Sequence, residues 1–263
     1  MRIICCIKQV PDTTEVKLDP VKGTLIRDGV PSIINPDDKA GLEAALRIKE
    51  QIPGSTVTIV SMGPPQADVA LREALAMGAD DAYLITDRKF GGADTWATSY
   101  TIAVALKMIG FDLIVCGRQA IDGDTAQVGP QIARHLEIPQ VSYVEEVIDA
   151  SEEHLVLKRQ FEDRYHVLEV GYPCLITALG ELNKPRYMSV SGIIDAYQKQ
   201  VHWLTYADMK DNIDDTNIGL LGSPTRVKQS FTKQPKGKGE KFEVEAEEAV
   251  DIIVSKLAEK HII

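Results

Sequence analysis

Residues 117–130 read Gly-Arg-Gln-Ala-Ile-Asp-Gly-Asp-Thr-Ala-Gln-Val-Gly-Pro, a polar loop whose composition suits an anionic ligand. Gly117 and Gly123 let the backbone approach such a ligand closely. Asp124 or Thr125 can cap a following helix, whose unpaired first N–H groups attract phosphate. Asp122 and Asp124 work against that reading, because like charges repel unless donors or a cation offset them. The loop carries neither G-x-x-x-x-G-K-[ST] nor G-x-G-x-x-G, the two commonest phosphate patterns. Its Asp-Gly-Asp also lacks the further carboxylates and terminal Glu of an EF-hand. Two readings stay open on these residues: a loop for the diphosphate end of a nucleotide, and an acidic turn that only caps a helix.

Other residue types offer less chemistry. Cys5, Cys6, Cys116 and Cys174 form no C-x-x-C pair and no His spacing suited to zinc. Adjacent Cys5 and Cys6 on a strand point to opposite faces and cannot chelate jointly. Buried thiols in a reducing cytoplasm are the expected state. No H-E-x-x-H occurs among the five histidines, so no metal site is expected.

The elements that must position the loop can be read around it. Leu113-Ile114-Val115-Cys116 leads in as a strand, and Ile132, Ala133 and Leu136 follow at helical spacing. Four more core strands are expected at Arg2–Ile7, Thr56–Val60, Ala82–Ile85 and Val141–Val144. Helices fill the gaps: one opened by Asn35-Pro36-Asp37-Asp38, one through Leu71 and Leu75, and one over Thr95–Ile109 capped by Asp94. A hairpin is expected where Val16-Lys17-Leu18 and Thr24–Arg27 flank a Pro- and Gly-containing turn. The alternation predicts an α/β fold with a doubly wound, parallel, five-stranded sheet of order 3-2-1-4-5. In that order the crevice lies between the loop at Lys8 and the loop at Gly117, a second reason to place a ligand there.

From His154 the pattern changes to an antiparallel β extension, Leu155–Leu157 against Val167–Val170, followed by a short strand at Cys174–Thr177. A helix begins near Ser191, and the basic stretch Lys233–Lys241 reads either as a segment lying on an acidic partner or, preferred, as a solvated tether. The chain then closes in a C-terminal arm whose helix, Val244–Leu257, aligns Val250, Ile253 and Leu257 on one face. The expected division is a nucleotide-binding domain with its extension over 1–190, and a partner-recognition segment, linker and docking helix over 191–263.

Composition narrows the function classes. Hydrophobic residues make up 44% of the 263 positions, enough for an ordinary core. The net charge of −10 argues against sequence-independent nucleic-acid binding. No apolar run approaches the roughly 18 residues that membrane insertion needs. The start, Met-Arg-Ile-Ile-Cys-Cys-Ile-Lys, turns polar too soon for a signal peptide, so a cytoplasmic location is expected.

Several dispersed motifs together resemble the beta subunit of electron transfer flavoprotein. They are Ile-Lys-Gln-Val-Pro-Asp at 7–12, Asn35-Pro-Asp-Asp38, Ala74-Leu-Ala-Met-Gly-Ala-Asp80, the 117–130 loop, Pro173-Cys-Leu-Ile-Thr177, and Asn183-x-Pro-Arg-Tyr187. They run nearly end to end in the family's order. Arg164 and His166 depart from it, in a surface hairpin. The resemblance implies a heterodimer with an alpha subunit that carries an FAD. It implies a second nucleotide in this chain, either AMP in simple carriers or FAD in electron-bifurcating forms. The Gly-Asp-Thr-Ala-Gln-Val-Gly run is closer to the bifurcating type. NADH is then the electron donor, with a flavoprotein dehydrogenase (acyl-CoA or lactate type) and ferredoxin or flavodoxin as acceptors.

By position in the family, Cys6, Asn35, Asp38, Met62, Gly117, Arg118, Gln119, Ala120, Asp122, Gly123, Asp124, Thr125, Gln127, Val128 and Gly129 should form the nucleotide pocket. The N–H groups of Asp124, Thr125 and Gln127 should hold phosphate, and Asp122 should accept from ribose or adenine. Cys6 should contribute backbone, and Lys8 is either a cation near the nucleotide or a solvated strand-end lysine. Arg186, Tyr187, Val190 and Ile193 fall in the family's partner-recognition segment, with Val190 at its anchoring position. No side chain here does hydride or single-electron chemistry, so a cofactor must supply it and the protein must bind and tune.

Overall fold

Short apolar runs rich in β-branched residues become the strands of one sheet, and longer amphipathic runs become the helices that cover it. The computed structural model describes residues 1–12, 31–228, 237 and 239–263. The expected hairpin at Val16–Leu18 and Thr24–Arg27 lies outside the described residues, as do residues 233–236 and 238 of the basic tether. In chain order the elements begin β1 (Arg2–Cys6), β2 (Gln9–Pro11), β3 (Ser32–Ile34), α1 (Pro36–Gln51), β4 (Thr56–Met62), α2 (Asp68–Met77) and β5 (Asp81–Ile85). There follow α3 (Thr95–Ile109), β6 (Leu113–Gly117), α4 (Val128–Leu136), β7 (Gln140–Ala150), β8 (His154–Gln160), β9 (Tyr165–Gly171) and β10 (Cys174–Ala178). The chain continues through α5 (Val190–Gln198), β11 (Val201–Leu204), α6 (Tyr206–Met209) and α7 (Ala246–Glu259).

The main sheet has the order β11-β5-β4-β1-β6-β10-β7-β8-β9. It is parallel from β11 to β7 and antiparallel through β8 and β9. The fold class is the expected one, α/β with an antiparallel extension and a terminal helix. Its strand order carries one correction: the fourth and fifth expected strands are not neighbours, because β10 lies between them. Burial explains the insertion. Every residue of β10 is buried, whereas β7 alternates and turns several side chains to solvent. A run apolar on both faces belongs inside a parallel sheet, and an alternating one belongs nearer its rim. β11 adds a further strand outside β5.

The core lies on both faces of this sheet. Ile3, Cys5, Val57, Ile59, Leu113 and Val115 face α1 and α2, while Ile4, Val60, Ile114, Cys116 and Leu175 face α3 and α4. At Gly41 a Cβ would sit 3.1 Å from Val115 Cγ1 and 3.3 Å from Ala178 Cβ, so α1 lies close on β6 and β10. That approach brings the first turn of α1 against the end of β6. Two compact units are defined, Met1–Lys228 and Gln229–Ile263. Among its described residues the second is one helix, α7, and a lone helix cannot bury an apolar face by itself.

Candidate functional site

Around β1 the chain order reverses: β4 is hydrogen-bonded on one side and β6 on the other. Loops leaving β1 and β6 therefore part at the carboxyl edge and leave a crevice there. A cavity of about 1120 Å³ occupies it, walled by the ends of β1, β4, β5 and β6 and by the first turn of α4.

The start of α1 braces both loops from below. Asn35 is fully buried; its Nδ2 donates to the Gln119 carbonyl at 2.8 Å, and the Ile121 N–H donates to its Oδ1 at 3.0 Å. Asp38 accepts from the Lys8 N–H at 2.7 Å and from the Gly117 N–H at 3.0 Å, one bond per carboxylate oxygen. Burial pushes the Asp38 carboxyl up to about 7, against the pull of those N–H donors. A Cβ on Gly117 would collide with Asp38, so glycine is needed for this approach. Arg118 pairs with Asp37 at 3.3 Å on the same side.

The loop's two carboxylates are engaged within the chain. Lys8 Nζ donates to both oxygens of Asp122, at 2.7 and 2.9 Å. Gln119 Nε2 donates to Asp124. These contacts answer the like-charge objection, since neither carboxylate is left unpaired. Lys8, read as either a cation near the nucleotide or a solvated strand-end lysine, is tied to Asp122 while its side chain stays 45% exposed.

The helix-capping expectation is also corrected. Helix α4 starts at Val128 with Gln127 as its N-cap, and no side chain caps it. Asp124 and Ala126 both adopt φ of 52°, which breaks helical register before the helix can begin. Left-handed residues other than glycine cost about 1 kcal/mol or more and cluster at ligand sites. Ala126 followed by right-handed Gln127 turns successive N–H groups into a concave, anion-accepting arrangement. The N–H of Asp124 is not available as expected, because it donates to the Ala120 carbonyl at 2.8 Å. Those of Thr125, Gln127, Val128 and Gly129 have no acceptor among the described residues.

Gly123 supplies the second local argument. A Cβ there would meet no atom within 4 Å, and its backbone is not left-handed. Neither packing nor conformation within the chain demands a glycine at this residue, which lines the cavity. Gly129 is different: its Cβ would lie 2.8 Å from Thr177 Cγ2, so it seats α4 against β10.

Among the residues expected at the pocket, Cys6, Asp38, Met62, Gly117 to Ala120, Gly123 to Thr125 and Gln127 to Gly129 line the cavity. Asn35 and Asp122 stand behind its wall and hold the loop. The sequence reading missed the far side, formed by Thr86–Thr95 after β5 and by Trp203 and Thr205 around the end of β11. Applying the carboxyl-edge rule to the third strand, with Gly91-Gly92 following it, would have found the first of these.

The expected partner residues lie elsewhere. Tyr187, Val190 and Ile193 are exposed, at 91%, 78% and 40%, around the start of α5. Ser189 caps that helix by accepting from the Gly192 N–H at 2.9 Å. Arg186 is engaged internally, with its guanidinium 2.8 Å from Glu43 and 2.6 Å from Glu50. Burial alone would raise Glu43; hydrogen bonds from Arg186 and Arg47 outweigh it and hold the carboxyl below its ordinary range.

Comparison with known proteins identifies the family. The model of the electron transfer flavoprotein domain matches residues 22–209. An electron transfer flavoprotein subunit beta of Clostridium acetobutylicum is 58% identical over 263 residues, with both chains fully covered. Subunit CarD of the caffeyl-CoA reductase-Etf complex of Acetobacterium woodii is 55% identical, and the acryloyl-CoA reductase electron transfer subunit gamma of Anaerotignum propionicum is 49% identical, again over all of both chains. A family match across most of the chain, together with relatives of 49–58% identity covered from end to end, leads to one conclusion: this chain belongs to the electron transfer flavoprotein family, as a beta subunit.

Proposed function

We propose that the chain binds FAD in the β1/β6 cavity and works, paired with an alpha subunit, in an NADH-oxidising, electron-bifurcating complex. The observation that carries this reading is the run of N–H groups at Thr125 and Gln127–Gly129 that find no acceptor among the described residues, beside a cavity-lining Gly123 where a Cβ would meet no atom within 4 Å. Together they suit a diphosphate. The volume of about 1120 Å³ exceeds the roughly 300–1000 Å³ of ordinary small-molecule pockets and is generous for AMP. When bound, FAD supplies hydride acceptance from NADH and division into single electrons, one routed by the alpha-subunit FAD to a dehydrogenase and one to ferredoxin or flavodoxin.

The chain's own residues bind and position. Asn35 and Asp38 fix the two loops, Lys8 neutralises Asp122, and the start of α4 directs its positive end at the phosphate. Tyr187, Val190 and Ile193 form the face for the dehydrogenase. The relatives named for caffeyl-CoA and acryloyl-CoA reductases favour a dehydrogenase acting on a CoA thioester over a lactate-type one. The four free cysteines suit a cytoplasmic setting, and no helix among the described residues is long and apolar enough to cross a membrane.

The test is a flavin count on the purified alpha–beta pair. Two FAD per heterodimer, with flavin bleaching on addition of NADH, is the expected result. One FAD accompanied by one AMP overturns the reading in favour of a simple carrier.

A further inference from the structure

Two cysteines line the cavity: Cys6, whose expected contribution to the nucleotide site is its backbone, and Cys116. Cys6 ends β1 and Cys116 lies near the end of β6, and the two are register partners in adjacent parallel strands. Register partners in a parallel pair project to the same face. Here Cys116 joins the core on the α3/α4 side with Cys6 packed beside it, while Cys5 points to the opposite face with Cys174. Adjacent strands are about 4.8 Å apart, within the roughly 4.4–6.8 Å Cα separation that a disulfide spans. Both thiols line the cavity; Cys6 is half-buried and Cys116 is 6% exposed.

We propose that Cys6 and Cys116 are a modification site: a dithiol that hydroperoxides oxidise to an intramolecular disulfide, reached through the nucleotide cavity and shielded when it is filled. The roles of the two sulfurs follow from their surroundings. The Cys116 thiol is pushed well up by its hydrogen bond with Cys6 and by burial, and the nearby Asp38 acts in the same direction. It is therefore the resolving thiol, and Cys6, at the cavity wall, is the one that attacks the reagent. The Cys6 sulfur attacks a peroxide oxygen and breaks the O–O bond. Alkoxide leaves and takes the thiol proton as an alcohol, and Cys6 becomes a sulfenic acid. The Cys116 sulfur then attacks Cys6; the S–S bond forms and hydroxide departs as water with the Cys116 proton. Two thiols lose two electrons and two protons, and the hydroperoxide is reduced to alcohol and water.

The shielding clause rests on the nucleotide reading; the disulfide itself does not. The experiment treats the alpha–beta complex, with and without its nucleotides, with tert-butyl hydroperoxide under argon, then counts thiols after denaturation and maps the link by mass spectrometry. Stripped protein should lose two of the beta subunit's four thiols. Fragmentation spectra should place the link at Cys6 rather than its neighbour Cys5, joined to Cys116. Restoring FAD, or AMP, should slow the loss by about ten-fold or more. Cys116→Ser should stop at a Cys6 sulfenic acid trapped by dimedone, and Cys6→Ser should leave Cys116 reduced. Four intact thiols in the stripped complex, or a link through Cys5 or Cys174, overturns the proposal. If the disulfide forms equally fast with nucleotide bound, the cavity is not the route and the shielding is refuted, while the flavin count reports separately on the cofactor.

Discussion

At the scale of single residues, the site depends on groups whose effect is separable from folding. Gly123 is the clearest case, since a side chain there meets no protein atom. Gly123→Asp should fold normally and lose at least ten-fold in nucleotide affinity, about 1.4 kcal/mol, because bulk and negative charge enter the diphosphate space. Nucleotide released on denaturation, measured beside an unchanged melting temperature, checks this. Asp38 gives a pH-dependent prediction. Its folded-state value of about 7 lies above the ordinary 3.8, so its stabilising share is complete below pH 3.8 and is lost as pH rises towards 7. Wild type should therefore lose stability against Asp38→Asn across that window, by up to about 1.4 kcal/mol per pH unit. Parallel urea titrations with no divergence between pH 4 and 7 would contradict it.

Among the elements, α1 does most to shape the cavity. Its N-terminal turn braces the loops after β1 and β6, and its third turn carries Glu43, whose side chain is 4% exposed beside Arg186. Arg186→Ala leaves that carboxylate with Arg47 alone. The cost should be about 2 kcal/mol at neutral pH, below the 3–5 kcal/mol of a fully buried pair because Arg186 is 31% exposed. Glu43 is held below its ordinary 4.5, so this stabilisation is present above pH 4.5 and fades as pH falls through the lower folded value. Denaturant midpoints of wild type and variant should converge on acidification. The helix limits near the cavity show where sequence reasoning reached its range. Asp94 caps α3 as its type and spacing predict, with the Ala97 N–H donating at 3.1 Å. Asp124 and Thr125, of equally suitable type, do not cap α4, because two left-handed residues delay its start.

For the whole molecule, the proposed nucleotide site and the proposed partner face involve different residues of the first unit, the cavity lining and the exposed start of α5, so they should fail independently. Val190→Asp places an acidic residue at the first position of α5, where the helix end favours negative charge, so the helix should persist. Electron transfer to the dehydrogenase should fall about ten-fold or more, matching the ~1.5–3 kcal/mol of one buried apolar side chain. NADH oxidation by an artificial dye should be unchanged. Equal loss of both activities would remove the docking role.

The sequence by itself determined the alternation of strands and helices, the α/β class, the loop at 117–130 and the family, because these rest on local periodicity, turn residues and order along the chain. Only tertiary structure decided that β10 separates β6 from β7, that Lys8 reaches Asp122, and that Asn35 stands behind the wall of the cavity. Those facts concern residues that are 30 to 114 positions apart or whole strands competing for a place in the sheet, such as Asp38 beneath Lys8 and Lys8 against Asp122. No local pattern encodes such pairings; they emerge when burial and hydrogen bonding are satisfied across the whole sheet at once.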